Sequence, residues 1–242
     1  MDDALAVLSD LHGNLHALQA VLADVEAQGI RELVCLGDVV GYGGSPAECV
    51  EVLRAAGIRC LRGNHDAMVA SSSGMDGLTL QTRLAVEWTA RVLSVEQRAW
   101  LAELPMTLEG EDWEAVHACL HRADDWPYVL TADMAALHFT HQSKPLCFIG
   151  HTHRPAMWVE GEALGVDITS IENLRAGKKC LVNAGAVGQP RDRDSRACYA
   201  VYRRGQRDIW WRRVAYDVAA AQKAIHEAGL PPYFAQRLEL GR

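Results

Sequence analysis

Five apolar runs in this 242-residue chain each stop at side chains of metal-ligand type. Ala4 to Leu8 is followed by Asp10 and His12, Leu33 to Leu36 by Asp38, and Ile58 to Leu61 by Asn64. Trp113 to Val116 is followed by His117, and Leu146 to Ile149 by His151 and His153. Carboxylate, amide and imidazole are donors for divalent cations of hard to intermediate character. Taken singly, each position has a plainer reading: Asp10 a helix cap, Asp38 a turn residue, Asn64 an Asx turn, each His a surface imidazole. Taken together, two carboxylates and four imidazoles crowd one partly buried edge if the runs share a sheet. A charged, unpaired group there costs roughly several kcal/mol in lost hydration. Only Arg62 and Arg154, at the margins of these turns, bring a fixed positive charge. Cations are the partners the pattern calls for. Seven donors are too many for one tetrahedral zinc, and the set lacks thiolates. Two ions with five or six mixed nitrogen and oxygen ligands suit it, such as manganese or iron. Asp38 stands alone after its run and is the candidate carboxylate between them.

The elements that position these donors follow from periodicity. Leu15, Leu18, Leu22 and Val25 recur at helical spacing between Asn14 and Gln28, and Gly29 ends the helix. Ser45-Pro46-Ala47-Glu48 reads as a capping box for a helix to about Ala56. The order to this point is β-α-β-α-β, which implies parallel strands with ligands beyond their carboxyl ends. Ser71 to Gly77 reads as a loop. Leu80, Leu84, Trp88 and Val92 form one stripe on a helix from Leu78 to Leu93. Ser94 and Gln97 cap a second helix that stops at Pro105. These two make a helical insertion around 75–105 that walls one side of a site or serves packing alone. Further on, Arg122 to Tyr128 reads as a polar loop and Thr131 caps a helix to about His141. Short strands follow at Ala156 to Glu160, Ala163 to Ile168 and Cys180 to Val182, then a small-residue turn from Asn183 to Gly188. Cys198 to Arg203 and Ile209 to Val214 read as a hairpin. Asp217 caps a last helix to Ala228, stopped by Gly229 and Pro231-Pro232. No linker or repeat divides the chain, so residues 1–242 read as a single domain.

Composition narrows the class. Hydrophobic residues make up 49%, which predicts a packed globular protein. A net charge of -7 disfavours general nucleic-acid binding, which rests on Lys and Arg against phosphates. Phosphate chemistry stays open, because bound cations reverse the local field. Seven cysteines with no C-x-x-C read as small buried hydrophobes of a reducing cytoplasm. The acidic Met1-Asp2-Asp3 is no signal-peptide start, and no apolar run reaches membrane-spanning length.

The donor motifs also carry a resemblance. Asp10-x-His12, Gly37-Asp38-x-x-Gly41, Gly63-Asn64-His65-Asp66, Val116-His117 and Gly150-His151-Thr152-His153 occur in that order. Together they resemble the calcineurin-like metallophosphoesterase superfamily, over residues 5 to about 216. Asn183 to Arg191, followed by Arg196-Ala197, is similar to the late segment of its small bacterial, phosphodiesterase-like members. The resemblance implies an α/β fold, a four-layer α/β/β/α sandwich with mixed sheets. It implies two divalent metal ions, manganese first, with iron, nickel, zinc or magnesium as other candidates. One ion would take Asp10, His12, Asp38 and His153, and the other Asp38, Asn64, His117 and His151. A bridging hydroxide would attack phosphorus in line. His65 would protonate the leaving group, and Asp66 would orient it.

Arg191 is a candidate phosphate contact, with a salt bridge to a nearby Asp as the equal alternative. Gly41-Tyr42-Gly43-Gly44 could bring backbone N–H groups to phosphate, or be a plain loop. The segment Ala118-Cys119-Leu120-His121-Arg122 departs from the Gly-Ser-Pro-Arg common in relatives, so substrate contacts near His117 should differ. Gly37-Asp38-Val39-Val40-Gly41 lacks the Asp-Arg-Gly continuation of protein phosphatases and diadenosine-polyphosphate hydrolases, which argues against those assignments. The expected function is hydrolysis of a small phosphodiester, with nucleotide and dinucleotide esters among the candidates, by a monomer or homo-oligomer. The alternatives are a phosphomonoesterase or protein phosphatase, and a non-catalytic scaffold, which the seven filled ligand positions disfavour.

Overall fold

Every residue of the first strand is buried, on both faces. Ala4, Ala6 and Leu8 turn to a layer of helices, and Leu5 and Val7 turn to a second sheet. Alternation at period two with both sets buried marks a strand between two layers. The computed structural model describes residues 3–163, 165 and 171–242.

In chain order the strands are β1 (Ala4–Leu8), β2 (Glu32–Cys35), β3 (Arg59–Cys60), β4 (Thr107–Glu109), β5 (Trp113–Val116) and β6 (Leu146–Ile149). They continue with β7 (Ala156–Val159), β8 (Glu172–Asn173), β9 (Cys180–Asn183), β10 (Ala197–Arg203) and β11 (Asp208–Val214). The helices are α1 (Leu15–Ala27), α2 (Pro46–Ala55), α3 (Asn64–Ser71), α4 (Leu80–Val92), α5 (Val95–Glu103), α6 (Ala132–Phe139), α7 (Val218–Glu227) and α8 (Pro232–Leu240). One sheet has the order β3-β2-β1-β10-β11-β8 and the other β4-β5-β6-β9-β7. The β1-β2-β3 segment is parallel, as the β-α-β-α-β pattern predicts, whereas β10 joins β1 antiparallel. Parallel β5-β6-β9 pairs are flanked by antiparallel β4 and β7. Both sheets are therefore mixed, as expected.

Three of the four main cores define the layers. Leu18, Val21, Val50 and Leu53 of α1 and α2 pack on the outer face of the first sheet. Leu5, Val7, Val34, Trp113, Phe148 and Tyr202 fill the space between the sheets. Ala135 and Phe139 of α6 cover the second sheet over Cys147, Ile149 and Leu181. This is the α/β/β/α order. Among the described residues, no helix is long and apolar enough to cross a membrane.

A half-buried carboxylate ties α1 to the hairpin. Asp24 accepts from Arg212 Nε and Nη2, both at 2.6 Å, and from the Tyr199 hydroxyl at 2.7 Å. The Arg212 guanidinium holds the Asp24 carboxyl below its usual range. A depressed carboxylate adds stability above its unfolded pKa and loses it as pH falls through the folded value. Asp24→Asn should cost about 1 kcal/mol at pH 7, or about 2–4 °C in Tm. That deficit should close below the carboxylate range, which melting curves of both proteins against pH will check.

Several expectations need correction. The five donor-bearing strands do not share one sheet: β1, β2 and β3 lie in the first, β5 and β6 in the second. Leu80, Leu84 and Val92 are 68%, 43% and 45% exposed, and α4 instead buries Ala85, Val86 and Thr89. Small residues face inward because Ala85 packs closely against Ala221, Ile225 and Phe234 of α7 and α8. Helix α3 occupies the Asn64–Ser71 stretch, too short to show a period, and Met68 and Val69 anchor it. Pro232 opens α8 instead of ending the fold, because proline is well suited to the first helical turn. The Ser45 side chain makes no capping bond, although α2 starts after it. The strand read at Ala163 to Ile168 falls largely outside the described residues.

Candidate metal centre

The carboxyl ends of the two sheets meet, and hydrogen bonds lock them together. His151 N–H donates to Asp10 Oδ2 at 3.0 Å, and His117 Nδ1 donates to the Leu36 carbonyl at 2.7 Å. Val187 and Gly188 N–H groups donate to the Ser9 and Asp10 carbonyls, each at 2.9 Å. Asn14 caps α1 through Ala17 N–H and donates its amide to the Gly188 carbonyl at 2.8 Å.

The turns bend sharply so that short side chains reach one point. Asp10, His12, Asp38, His151 and His153 all have left-handed backbones, with φ of 53°, 48°, 51°, 65° and 59°. Each such non-glycine residue costs on the order of 1–3 kcal/mol, and such strain clusters where geometry serves function. Close approach also requires glycine at two places. A Cβ at Gly63 would overlap the Asp38 carboxylate and main-chain nitrogen, and one at Gly150 would overlap Ser9 Oγ.

The structure brings six of the seven predicted donors together. His12 Nε2 lies 3.1 Å from His153 Nε2 and 3.6 Å from Asp38 Oδ2. Asp10 Oδ1 is 3.3 Å from His153 Nε2, and Asp38 Oδ2 is 3.5 Å from His117 Nε2. Asp10, His12 and His153 form one cluster and Asp38, His117 and His151 another, with ligand atoms within 4.8 Å in each. Asp38 reaches toward both sides: Oδ1 accepts from His65 N–H at 2.8 Å, which leaves Oδ2 between His12 and His117. Asn64 opens α3 beside His65, and its Oδ1 is buried.

The donor chemistry fits metal ions. His12, His117 and His153 each turn Nδ1 to a carbonyl, of Val40, Leu36 and Gln189 respectively. A carbonyl accepts only, so the proton sits on Nδ1 and the lone pair on Nε2. The 3.1 Å contact between His12 and His153 Nε2 therefore sets two lone pairs face to face. A cation between them turns that repulsion into coordination. Asp10 Oδ1, Asn64 Oδ1, His117 Nε2 and His151 Nε2 are likewise buried without a hydrogen-bond partner. Among the described residues, no Lys or Arg pairs with Asp10 or Asp38. Arg62 and Arg154 instead donate to the Ala102 and Arg191 carbonyls.

The field agrees. Burial pushes Asp10 up to about 6 and holds His12 and His153 well below the imidazole range. Burial and the neighbouring His117 take His151 down to about 3. Burial opposes charge on Asp38 too, yet His117, His65 and His12 together hold it well below the carboxylate range. Burial also opposes charge on His117, but Asp38 outweighs it and lifts His117 to about 9. Beside Asp38 the field thus calls for positive charge, which a proton on His117 Nε2 or a cation can supply.

Two expected contacts come out differently, and the Gly41–Gly44 segment behaves as a plain loop. Asp66 does not orient His65: its carboxylate accepts from Gly63 N–H at 3.0 Å and Val40 N–H at 3.2 Å. It fixes the two loops that carry Asp38 and Asn64. Arg191 makes no salt bridge to an Asp among the described residues, and its Nη2 donates to Gln189 Oε1 at 3.0 Å. Gly43 N–H donates to the His12 and Gly41 carbonyls, so it is already bonded within the fold.

Sequence reasoning missed the aromatic frame. Tyr42 packs at 4.6 Å from the His12 ring and 4.5 Å from His65, and Tyr128 stacks on His151 at 4.0 Å. Trp126 lies 5.8 Å from His117. An aromatic in a polar loop beside a donor motif was the available signal. His138 is buried and accepts from Leu120 N–H, apart from the centre.

With this geometry in place, comparison with known proteins is direct. Residues 4–205 match the calcineurin-like phosphoesterase superfamily domain. The chain is 37% identical over 242 residues to the uncharacterized protein MJ0912 of Methanocaldococcus jannaschii, covering 98% of each. The crystal structure of a metallophosphoesterase from Sphaerobacter thermophilus is 36% identical and superposes with a TM-score of 0.89 over 100% of both chains. The hypothetical protein PH1004 of Pyrococcus horikoshii, 19% identical, shares the fold with a TM-score of 0.80, covering 99% of this chain and 98% of that one.

Proposed function

The chain belongs to the calcineurin-like phosphoesterase superfamily, and on that premise we propose that it is a dinuclear-metal-dependent phosphodiesterase. The observation that carries the reading is the pair of Nε2 lone pairs of His12 and His153 held 3.1 Å apart. Asp10, His12, Asp38 and His153 would hold one divalent ion, and Asp38, Asn64, His117 and His151 the other. When bound, two such ions supply Lewis-acid stabilisation of phosphoryl oxygens and a nucleophile from water at neutral pH. Manganese suits the mixed carboxylate, amide and imidazole set.

The chain's own residues do the rest. Asp38 sets the spacing of the two clusters and fixes the His65 backbone through its Oδ1. Ser9 Oγ donates to Asp10 Oδ2 at 2.7 Å and holds that carboxylate in place. His65, seated against Tyr42 and 4.9 Å from His12, faces the same space and delivers a proton to the leaving oxygen. Burial first pulls its pKa below the imidazole range. Arg191 adds positive charge that His153 feels. Tyr128, 48% exposed and stacked on His151, offers a face to a second organic substituent, which a diester has and a monoester lacks. Residues 1–242 would act as one unit, and seven free, buried cysteines suit a reducing cytoplasm.

Metal analysis should find about two divalent ions per chain. Chelation should abolish hydrolysis of bis-p-nitrophenyl phosphate, and manganese should restore it above magnesium or nickel. The monoester p-nitrophenyl phosphate should be slower. No retained metal and no turnover of either ester with any of the three ions would sink the reading in favour of a scaffold. Faster monoester turnover would make the protein a phosphomonoesterase.

A further inference from the structure

No hydrogen bond fixes the ring of His65. Its main-chain N–H is tied to Asp38 Oδ1, but among the described residues nothing bonds the imidazole, and its Nδ1 is buried without a partner. His12, His117 and His153 each have Nδ1 held by a carbonyl, which sets ring plane and tautomer together. An imidazole without such an anchor turns about its broad χ2 torsion unless its neighbours stop it.

The neighbours that stop it are Gly41, Tyr42 and His12. A Cβ at Gly41 would overlap His65 Nδ1, so the ring is pressed against that backbone. The His12 ring stands edge-on at 4.9 Å, and the Tyr42 ring stands 4.5 Å away, tilted by 59°. Phe234 of α8 backs Tyr42 from behind at 5.0 Å. The backbone at Tyr42 shows that this ring has a purpose. Its φ is 62°, a left-handed conformation that glycine takes freely and a bulky residue resists. The other members of Gly41-Tyr42-Gly43-Gly44 are all glycine, yet an aromatic occupies the strained position. Strain on the order of 1–3 kcal/mol persists where the side chain is needed.

We propose that Tyr42 is the positioning residue for His65: its ring, and not the Asp66 carboxylate, holds the imidazole toward the leaving oxygen. This rests on the phosphodiesterase reading, in which His65 supplies that proton. One ring nitrogen of His65 lies within 4.8 Å of ligand atoms of His12 and Asp38, so turning the ring carries its proton away from a phosphate over the clusters. A misplacement of about 1 Å at a reacting group can cost about 10²-fold.

Turnover of two diesters by the manganese-loaded protein tests this, with metal content measured alongside by mass spectrometry. Glycine accepts the left-handed backbone, so Tyr42→Gly removes the ring without adding strain. That variant should keep its metal. It should lose about a hundredfold on 2′,3′-cyclic AMP, whose alkoxide needs the proton, and less than about tenfold on bis-p-nitrophenyl phosphate. Tyr42→Phe, which keeps the ring and drops the hydroxyl, should recover most of both. Combined with His65→Ala, Tyr42→Gly should add no further loss on 2′,3′-cyclic AMP, because one residue acts only through the other. Equal deficits on the two esters, loss of metal from Tyr42→Gly, a phenylalanine variant as weak as the glycine one, or deficits that multiply in the double variant would each overturn the proposal. His65→Ala alone reports on the acid and on the phosphodiesterase reading, so the two failures are distinguishable.

Discussion

Asp38→Asn is expected to lose metal from one or both clusters and to cut turnover of bis-p-nitrophenyl phosphate about a thousandfold or more. The size follows from losing roughly 4 kcal/mol of charge stabilisation at the reacting phosphate. Geometry makes an amide a poor substitute for this carboxylate. One oxygen accepts the His65 N–H at 2.8 Å, and the other lies between His12 and His117. If the amide nitrogen points at the histidines, it offers hydrogens where lone pairs must converge. If it turns the other way, two donors face each other at His65. Either orientation leaves a buried group unsatisfied, and neither restores the charge. The metal-free protein should respond as well. Asp38 is 1% exposed, yet His117, His65 and His12 hold its carboxyl well below the usual range, so its charge is net stabilising in the fold. The Tm without metal should therefore fall, and the Tm gain on adding manganese should disappear. Metal content by mass spectrometry, together with melting curves, reads both. Two retained ions and turnover within tenfold of the parent would remove Asp38 from the bridging role.

The asymmetry between what the residues revealed and what they hid has a physical basis. Asp10, Asp38, His117 and His151 were legible because each follows a buried strand within one to three residues. Strands β1, β2, β5 and β6 are buried enough to read as apolar runs. Whether those strands shared a sheet was not legible, because pairing is non-local: β10, nearly 190 residues after β1, completes the first sheet beside it. Strands β4 and β8, three and two residues long, have no pattern of their own and exist only through their partners. The inward face of α4 failed for a related reason. Leucine weight points to Leu80 and Leu84, but burial goes to whichever side meets α7 and α8, and there Ala85 fits. The same blindness concealed helix α8, because nothing in its sequence shows Phe234 packed against Tyr42. Asp66 illustrates the reverse error. Adjacency to His65 in sequence suggested a partner, but helix α3 sends its carboxylate to the Gly63 and Val40 N–H groups.

His65→Ala should keep its metal and lose most of its turnover, and the loss should depend on the leaving group. The imidazole is 4% exposed, and its backbone N–H rather than its ring is tied to Asp38. Removing the ring therefore leaves the donors of both clusters in place. General acid catalysis is worth about 10²–10⁴-fold when the departing oxygen is a strong base. An alkoxide needs that proton, whereas p-nitrophenolate departs without one. The deficit should accordingly lie near the lower end with bis-p-nitrophenyl phosphate and near the upper end with an alkyl leaving group, as in 2′,3′-cyclic AMP. A residue that only supported the fold would depress both substrates by one factor. Asp66→Asn provides the contrast, because its carboxylate acts on loops: any loss there should be equal for the two substrates. Burial and Asp38 together lift Asp66 to about 7, so it is only part-ionised at neutral pH, and the asparagine chiefly removes an acceptor for the Gly63 or Val40 N–H. A leaving-group-independent deficit in His65→Ala would assign this histidine to substrate positioning and leave the proton to solvent.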